Sequence, residues 1–341
     1  MAIREVLGTA VFLALATRFS EEQSGQSAAR GLLLVANKDD RTLSIIDPES
    51  GRTLAAVPEG GITGHEVAAS PDGRFAYVPI YGNSVVGMPG MDGANVVVVD
   101  LAARKVSGTV DFGRGVRPHC AVFGPKDGLL YVTAELDNAI AAIDPHTLKV
   151  VGTVPTGQPE SHMLAITRDG RRGYTANVGP GSVSVLDLEA RKTVAIVPIS
   201  GSTQRISLSA DDRMAFTADQ TKPQLAVIDT ASNQVKQWVA LPGLGYSTAA
   251  TGDGRYLLVT VPRANRVAVV DLHAMEVVHS IEVPRAPQEV LISPDNRTAY
   301  VSCDASHQVA GIGIGDWKVK LIEAGSGADG LAWAPGGNYT L

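Results

Sequence analysis

The sequence lacks the signatures of several large functional classes. Its 341 residues contain no CxxCH haem-attachment motif, no glycine-rich phosphate loop and no nucleophile-elbow motif, so a c-type cytochrome, a nucleotide enzyme and a serine hydrolase are not expected. The formal net charge is −6 and the basic residues form no cluster, which argues against a nucleic-acid groove. Aromatic residues make up only 5% of the chain, whereas 36 glycines and 19 prolines fit many short strands and turns.

What the sequence does contain is a repeated strand–turn–strand unit. In its clearest copy, residues 67–69 form a short apolar run, residues 70–73 (SPDG) turn the chain, and residues 75–78 resume with aromatic and β-branched side chains. Proline and glycine suit the turn because proline fixes φ near about −65° and glycine allows a positive φ.

Seven copies of this unit follow one another along the chain. Counted from the first residue of each copy, the steps are 54, 43, 42, 42, 42 and 41 residues. A period near 42 residues is typical of a β-propeller with four strands per blade. The copies begin at His65, His119, His162, Gln204, Tyr246, Gln288 and Asp329.

The two ends of the repeat array predict how the ring closes. Residues 32–37 match the second strand of a blade and have no first strand before them, while residues 330–335 match a first strand whose continuation stops at Leu341. The C-terminal strand is therefore expected to join the N-terminal blade, which removes the gap between first and last blades. We predict an all-β, seven-bladed β-propeller with four-stranded blades over residues 31–341.

Residues 1–30 are predicted to be a signal peptide and a flexible lead-in. Arg4 precedes an apolar run over residues 6–16 whose last three residues, Ala-Leu-Ala, form a small-residue cleavage site, and the run is too short for a membrane span. This pattern predicts a periplasmic or secreted protein. An unprocessed N-terminal tail is the alternative.

Aspartates end the third strand of six repeats and are expected to cap turns rather than to catalyse, because an Asp carboxylate bonds backbone amides two residues on. They are Asp47, Asp100, Asp144, Asp187, Asp229 and Asp271. Cys120 and Cys303 lie in repeats too far apart for a disulfide, so we expect two core or channel thiols.

The second strands resemble YVTN-family β-propeller repeats. The resemblance rests on the segments Tyr77-Val78, Tyr131-Val132-Thr133-Ala134, Tyr174-Thr175-Ala176-Asn177 and Tyr300-Val301-Ser302, and it covers nearly all of residues 31–341. It implies the propeller fold but no single activity, because such repeats occur in ligand binders, cell-surface proteins and enzymes. The segment Arg117-Pro118-His119 is also similar to the Pro-His of lactonase-type propellers.

The predicted functional site is one mouth of the central channel. The first strand of each blade lines the channel, so the residues that begin the seven copies should form a ring at this mouth, with three histidines on consecutive blades. The second strands return to the same face, which brings Asn37, Glu135, Asn177, Asp219 and Asp304 near it. The 54-residue first step adds a loop over residues 81–93 to this face, and long loops on a rigid scaffold often carry function.

Two chemistries fit this ring. His65, His119 and His162 could hold copper, iron or zinc, with Asp329, Glu135 or Glu160 orienting the imidazoles. Alternatively, the seven ring residues could bind a small polar organic ligand, or the histidines could simply satisfy backbone groups at the rim.

Three functional hypotheses follow. The first is an exported monomer that binds a small ligand, a metal or a protein partner at the ring and loop. The second is an enzyme, which is either metal-dependent through the three histidines or lactonase-like. In the lactonase-like version, His119 together with Glu135 supplies the general base, and Arg117 stabilises a developing oxyanion. The third is a cell-surface interaction scaffold.

Overall fold

The structure is a computed structural model that describes residues 31–336. The predicted signal peptide and lead-in, residues 1–30, lie outside the described residues. Within residues 31–336 no helix is long and apolar enough to cross a membrane. The helices described there are three 3₁₀ turns: Glu135–Asp137, Pro262–Ala264 and Asp304–Ser306.

The strands form seven antiparallel sheets of four strands each, and these sheets are the blades of a closed ring. The predicted all-β, seven-bladed propeller is therefore confirmed. Each blade runs from an innermost strand at the channel to an outermost strand that is largely exposed. Blade 1 contains β1 (Gly31–Asn37), β2 (Thr42–Asp47), β3 (Arg52–Pro58) and the C-terminal β28 (Ala328–Pro335). Blade 2 contains β4 (Ala68–Ala69), β5 (Phe75–Gly82), β6 (Asp92–Asp100) and β7 (Lys105–Asp111).

The other five blades are each made of four consecutive strands. Blade 3 contains β8 (Pro118–Phe123), β9 (Leu130–Ala134), β10 (Ala139–Asp144) and β11 (Lys149–Pro155). Blade 4 contains β12 (Ser161–Ile166), β13 (Arg172–Asn177), β14 (Ser182–Asp187) and β15 (Lys192–Pro198). Blade 5 contains β16 (Ser207–Leu208), β17 (Met214–Ala218), β18 (Gln224–Asp229) and β19 (Gln234–Ala240). Blade 6 contains β20 (Thr248–Ala250), β21 (Tyr256–Val261), β22 (Arg266–Asp271) and β23 (Glu276–Glu282). Blade 7 contains β24 (Pro287–Ile292), β25 (Thr298–Cys303), β26 (Gln308–Gly313) and β27 (Val319–Glu323).

The ring closes as the sequence predicts. The C-terminal strand β28 pairs antiparallel with β1, with Leu33 opposite Trp333 and Val35 opposite Leu331. Blade 1 thus takes three strands from the N-terminal part of the chain and its innermost strand from the C-terminal part. This pairing leaves no exposed strand edge between the first and last blades.

The turn between the first and second strands is built by side chains of the repeat. In blade 2, the Ser70 hydroxyl donates to Asp72 at 2.6 Å and accepts the Phe75 amide at 2.9 Å, while Gly73 takes a φ of +71°. A hydroxyl and an aspartate two residues later recur in four further blades, which explains why this turn recurs in the sequence. These hydroxyl residues are Thr167, Ser209, Thr251 and Ser293.

The third-strand aspartates also have the predicted role. Asp144, for example, accepts the amide of His146 at 2.8 Å, and Asp271 accepts that of His273 at 2.8 Å. The backbone hydrogen bonds lower the pKa of both carboxyls. These residues stabilise turns on the face opposite the channel mouth described below.

Apolar side chains pack between neighbouring blades and hold the strand ends in fixed positions. Leu34 and Ile45 of blade 1, for instance, belong to the same buried cluster as Val78 and Val97 of blade 2. Both cysteines are buried and free, as predicted, and burial raises the pKa of the Cys303 thiol to about 12. A tightly packed scaffold of this kind positions channel side chains with little freedom.

Candidate functional site

The structure places all seven predicted ring residues at one mouth of the channel. Four occupy the second position of an innermost strand, namely His119, His162, Gln288 and Asp329. The other three precede innermost strands that are only two or three residues long, namely His65, Gln204 and Tyr246. His119, His162 and Asp329 are buried, whereas the other four are half-buried. The mouth therefore has a half-exposed rim above a buried floor.

The three histidines come together with Tyr81, and we call these four residues the histidine cluster. The His119 and His162 ring centroids lie 3.5 Å apart, and the His65 and His119 centroids 5.5 Å apart. The Tyr81 ring lies 5.2 to 5.9 Å from each of the three imidazoles. Sequence spacing predicted the histidines, but not the tyrosine that packs against all of them.

His119 and His162 are neutral at pH 7. Burial lowers the pKa of both imidazoles well below the usual 6.5, and nearby positive charge, with that of Arg205 contributing at both, lowers it further. In the described part of the chain, Nδ1 of each ring has no hydrogen-bond partner. Two buried ring nitrogens are thus left unsatisfied by the protein.

Glu135 connects the histidine cluster to the loop after β5. Its Oε2 accepts the Tyr81 hydroxyl at 2.5 Å, and its Oε1 accepts Nη1 of Arg117 at 3.1 Å. Burial and the Glu135 hydrogen bond raise the pKa of Tyr81, so its hydroxyl stays protonated. Arg117 also donates to Asp92 at 2.6 Å and to the Met88 carbonyl at 2.7 Å.

The imidazole within 4 Å of Glu135 is that of His162. Its Nδ1 lies 3.9 Å from Oε2 of Glu135, while its Nε2 lies 3.3 Å from the side-chain nitrogen of Gln204. If the Gln204 amide donates, Nε2 is the unprotonated nitrogen and Nδ1–H faces the carboxylate. This assignment gives the arrangement of a base oriented by an acid.

The predicted loop over residues 81–93 is shorter in the structure. Tyr81 and Gly82 end β5, and Asp92 and Gly93 begin β6, so the loop proper is residues 83–91. Gly93 is required for this extension because a Cβ there would lie 1.6 Å from the Ile80 carbonyl oxygen. The extended strands carry Tyr81 over the histidines.

The loop borders the channel mouth and exposes apolar side chains. Val85, Met88 and Met91 are 72%, 58% and 58% exposed. Cavities of about 300 and 400 Å³ lie on its two sides, one lined by Arg117 and Glu135 and the other by Lys38 and Met91. The loop therefore does overhang the predicted face.

The remaining part of the mouth is strongly charged. Arg205, 3% exposed, lies 2.7 Å from Glu66, 3.2 Å from Asp329 and 3.8 Å from Glu289. Lys38 lies 2.9 Å from Asp304 and 3.5 Å from Asp329. We call Arg205, Lys38 and their carboxylate partners the charged cluster, and its members are Arg205, Lys38, Glu66, Glu289, Asp304 and Asp329.

Glu66, Arg205 and Glu289 were missed at the level of sequence. Each directly follows a ring residue, and strict strand alternation would turn it away from the channel. In blade 7, however, the register of β24 shifts between Pro287 and Val290, as at a β-bulge, so two consecutive residues oppose the same part of β25. The available signal was a charged residue directly after a ring residue, within an innermost strand for Glu289 and just before one for Glu66 and Arg205.

Three polar residues predicted near the mouth form hydrogen bonds with neighbouring side chains or backbone groups. Asn37 donates to Ser44 at 2.8 Å and Asn177 to Ser184 at 2.9 Å, both within a blade. Asp219 accepts the Thr221 amide at 2.8 Å, and although burial raises its pKa, its several hydrogen bonds together lower it to about 2. These three side chains form hydrogen bonds at or beside the ends of second strands.

Comparison with known proteins gives the family. The model of the family described as lactonase, 7-bladed beta-propeller, matches residues 49–240. The chain belongs to this family. The matched part of this lactonase propeller includes the whole histidine cluster, Glu135 and Arg205, whereas Glu289 and Asp329 lie beyond it. The expected similarity to lactonase-type propellers is confirmed.

One curated relative of this lactonase propeller is distant. A 6-phosphogluconolactonase of Bacillus subtilis (strain 168) is 28% identical over 154 residues, which make up 41% of this chain and 44% of that protein. The similarity thus spans less than half of the relative's length.

Solved structures share the architecture. A chain of Kuenenia stuttgartiensis hydrazine synthase has a TM-score of 0.70 and 19% identity, over 83% of this chain and 92% of that one. A functionally unknown protein from Desulfotomaculum acetoxidans has a TM-score of 0.73 and 15% identity, over 90% and 99%. At such identities the likeness shows the fold alone.

Metal binding by the three histidines gains no geometric support and stays a prediction. In residues 31–336 no three His, Cys, Asp or Glu side chains are arranged to hold one ion. Of the carboxylates expected to orient the rings, Glu135 lies 3.9 Å from His162, whereas Asp329 contacts Arg205 and Glu160 accepts the Gly179 amide.

Proposed function

We propose that this lactonase propeller hydrolyses a small lactone at the channel mouth, with His162 as general base and Glu135 as the residue that orients it. The observation that carries the proposal is the neutral His162 ring, whose Nδ1 lies 3.9 Å from Glu135 and whose Nε2 lies 3.3 Å from the half-exposed Gln204 amide. The family membership supports the choice of reaction. The pair of His162 and Glu135 replaces the expected pair of His119 and Glu135, because His162 is the imidazole within 4 Å of the carboxylate.

The proposed chemistry needs no covalent bond between the protein and its substrate. Once the substrate and a water molecule displace the half-exposed Gln204 amide, Nε2 of His162 takes a proton from that water while the water oxygen attacks the lactone carbonyl carbon. The tetrahedral intermediate collapses as the bond to the ring oxygen breaks, and the imidazolium returns its proton to the departing alkoxide. The product is a hydroxy acid, whose carboxyl group then loses a proton to solvent. Glu135 stabilises the transient imidazolium charge.

Arg205 is better suited than Arg117 to stabilise the oxyanion. Arg117 is engaged with Asp92, Glu135 and the Met88 carbonyl. Arg205 has Nε and Nη1 without a hydrogen-bond partner in the described part of the chain, and its charge is felt at His162, whose pKa it lowers. A buried guanidinium with spare donors is the kind of group that binds developing negative charge.

The test is hydrolysis of D-glucono-1,5-lactone and simple aliphatic lactones, with the spontaneous rate subtracted. We expect His162→Asn to lower kcat by about 10²- to 10⁴-fold, the usual range for a general base. His146→Asn is the matched control, because His146 is exposed in a turn of the opposite face. Parent-like turnover by a folded His162→Asn protein would contradict the proposal.

The pH profile gives a second readout. The base must be unprotonated, and burial keeps the pKa of His162 well below 6.5. We therefore expect kcat/KM to be flat around neutral pH and to fall only at pH values well below 6.5. An acid limb centred at or above pH 6.5 would assign the base to another group.

A binding protein without turnover is the second candidate. It is favoured by the 3.9 Å separation of His162 and Glu135, which exceeds a hydrogen bond, and by the engagement of Glu135 with Tyr81 and Arg117. Calorimetric binding of a lactone that is not hydrolysed would favour this candidate.

We also propose export, on the pattern of residues 1–16 alone. Cell fractionation with N-terminal mass analysis tests it, and a cytoplasmic protein with an intact N-terminus would overturn it.

A further inference from the structure

The channel mouth holds more negative than positive groups. Three buried or half-buried cations lie there, Lys38, Arg117 and Arg205, and six carboxylates lie within 4 Å of one or another of them. The carboxylates are Asp92, Asp304, Asp329, Glu66, Glu135 and Glu289. Burial raises the pKa of Glu66 and of Glu289, so these two carboxyls hold protons more readily than exposed ones. Even so, the formal balance is negative.

Each of the three cations is already paired with at least two carboxylates. Arg117 lies 2.6 Å from Asp92 and 3.1 Å from Glu135. Lys38 and Arg205 have the partners given above, at 2.7 to 3.8 Å. A phosphate dianion entering the mouth would have to displace carboxylates that are themselves mostly buried, because each of these cations already has at least two carboxylates beside it.

Neutral hydroxyl groups meet a better set of partners. Carboxylate oxygens accept hydroxyl protons, and Nε and Nη1 of Arg205 are donors that form no hydrogen bond within residues 31–336, Nη1 lying 3.8 Å from Glu289. Arg205 is 3% exposed, so these unpaired donors are buried and need a ligand or water to satisfy them. The half-buried Tyr246 ring, 4.9 Å from the Arg205 guanidinium, adds a flat apolar surface at the rim.

We infer that the mouth selects a neutral, polyhydroxylated lactone and rejects the same lactone carrying a phosphate group. This inference rests on the proposed function for its reaction, but the selectivity follows from the charged cluster. The curated relative is named for a phosphorylated lactone, so the inference gives this chain a different substrate from the one in that name.

The first experiment compares D-glucono-1,5-lactone with its 6-phosphate as substrates. We expect kcat/KM to be at least about tenfold higher for the neutral lactone, since close like charges cost several kcal/mol. Asp329→Asn removes one negative charge beside both Lys38 and Arg205 and should narrow that ratio. Asp316→Asn, in an exposed turn, is the matched control and should leave the ratio unchanged. A parent enzyme that prefers the 6-phosphate would overturn the inference while leaving the proposed hydrolase intact.

The second experiment measures binding without turnover, using 1,5-anhydroglucitol and its 6-phosphate, which have no carbonyl group. Calorimetric binding of the neutral polyol alone, with neither lactone hydrolysed, would support the selectivity and overturn the hydrolase. Binding of the phosphorylated polyol alone would overturn the selectivity. No binding of either polyol, together with no hydrolysis, would overturn both proposals.

Discussion

The histidine cluster and the charged cluster occupy equivalent places in one ring, but their buried side chains differ in charge: the histidines become neutral, whereas the arginine stays charged. His119 and Arg205 lie at the starts of two copies of the repeat, and their exposed fractions are 2% and 3%. The imidazole sheds its proton, and its Nδ1 has no partner in the described residues. Burial alone would lower the pKa of Arg205, yet the neighbouring carboxylates of Glu66, Glu289 and Asp329 raise it, so it stays charged.

The difference teaches which buried groups can be left free for function. A histidine loses its charge at modest cost and keeps a basic nitrogen ready for a proton. An arginine cannot lose its charge, so it must be surrounded by anions, and the anions then depend on it. We therefore expect the charged cluster to matter most for stability and the histidine cluster most for chemistry.

Arg205→Met tests this comparison with the largest expected loss of stability. Removing the cation leaves Glu66 buried without an ion-pair partner and leaves Asp329 with Lys38 alone, so we expect the free energy of unfolding to fall by about 3 to 5 kcal/mol. Urea denaturation at pH 7 measures it. Arg213→Met is the control, because Arg213 is exposed and its loss should cost less than about 0.5 kcal/mol. Equal costs for the two variants would show that the carboxylates do not depend on Arg205.

Glu59 sharpens the comparison, because it is a buried carboxyl that forms no ion pair with a cation of residues 31–336. Burial raises its pKa to about 7, although the Gly64 amide, at 2.9 Å from Oε2, opposes the rise. The folded state therefore keeps a proton that the unfolded state loses above its usual pKa of 4.5, and stability falls as the pH rises from 4.5 to 7.

Glu59→Gln removes this titration. We expect the free energy of unfolding of the variant, relative to the parent, to increase by about 2 to 3 kcal/mol between pH 4 and pH 8. Glu189→Gln, at an exposed position, should show no such trend. Parallel pH curves for the Glu59 variant and the parent would mean that this carboxyl titrates normally.

The smallest loss of stability is expected for His119→Asn. Because no partner is left unpaired, we expect a loss of only about 1 to 2 kcal/mol at pH 7, mainly from lost packing. Burial lowers the pKa of His119, so the unfolded state binds more protons below pH 6.5 and the parent loses stability as the pH falls. The cost of the substitution should therefore shrink toward pH 5. A cost that grew on acidification would mean that protonated His119 stabilises the fold.

Local sequence determined much of this protein. The period near 42 residues specified seven blades, the turn hydroxyls and aspartates specified where the strands reverse, and the unmatched end strands specified the closure between β1 and β28. These features depend on neighbouring residues, which a single repeat contains in full. The three histidines were found for the same reason, since they occupy one position of successive repeats.

The tertiary structure alone decided which side chains meet inside the ring. Tyr81 reaches the imidazoles because β5 and β6 extend beyond their repeat length, and a register shift brings Glu289 toward the channel beside the residue before it. Arg205 meets Glu66 and Asp329 from blades that are far apart in the chain. A repeat pattern fixes the position of each residue within its own blade, whereas contacts across the channel depend on how all seven blades close together.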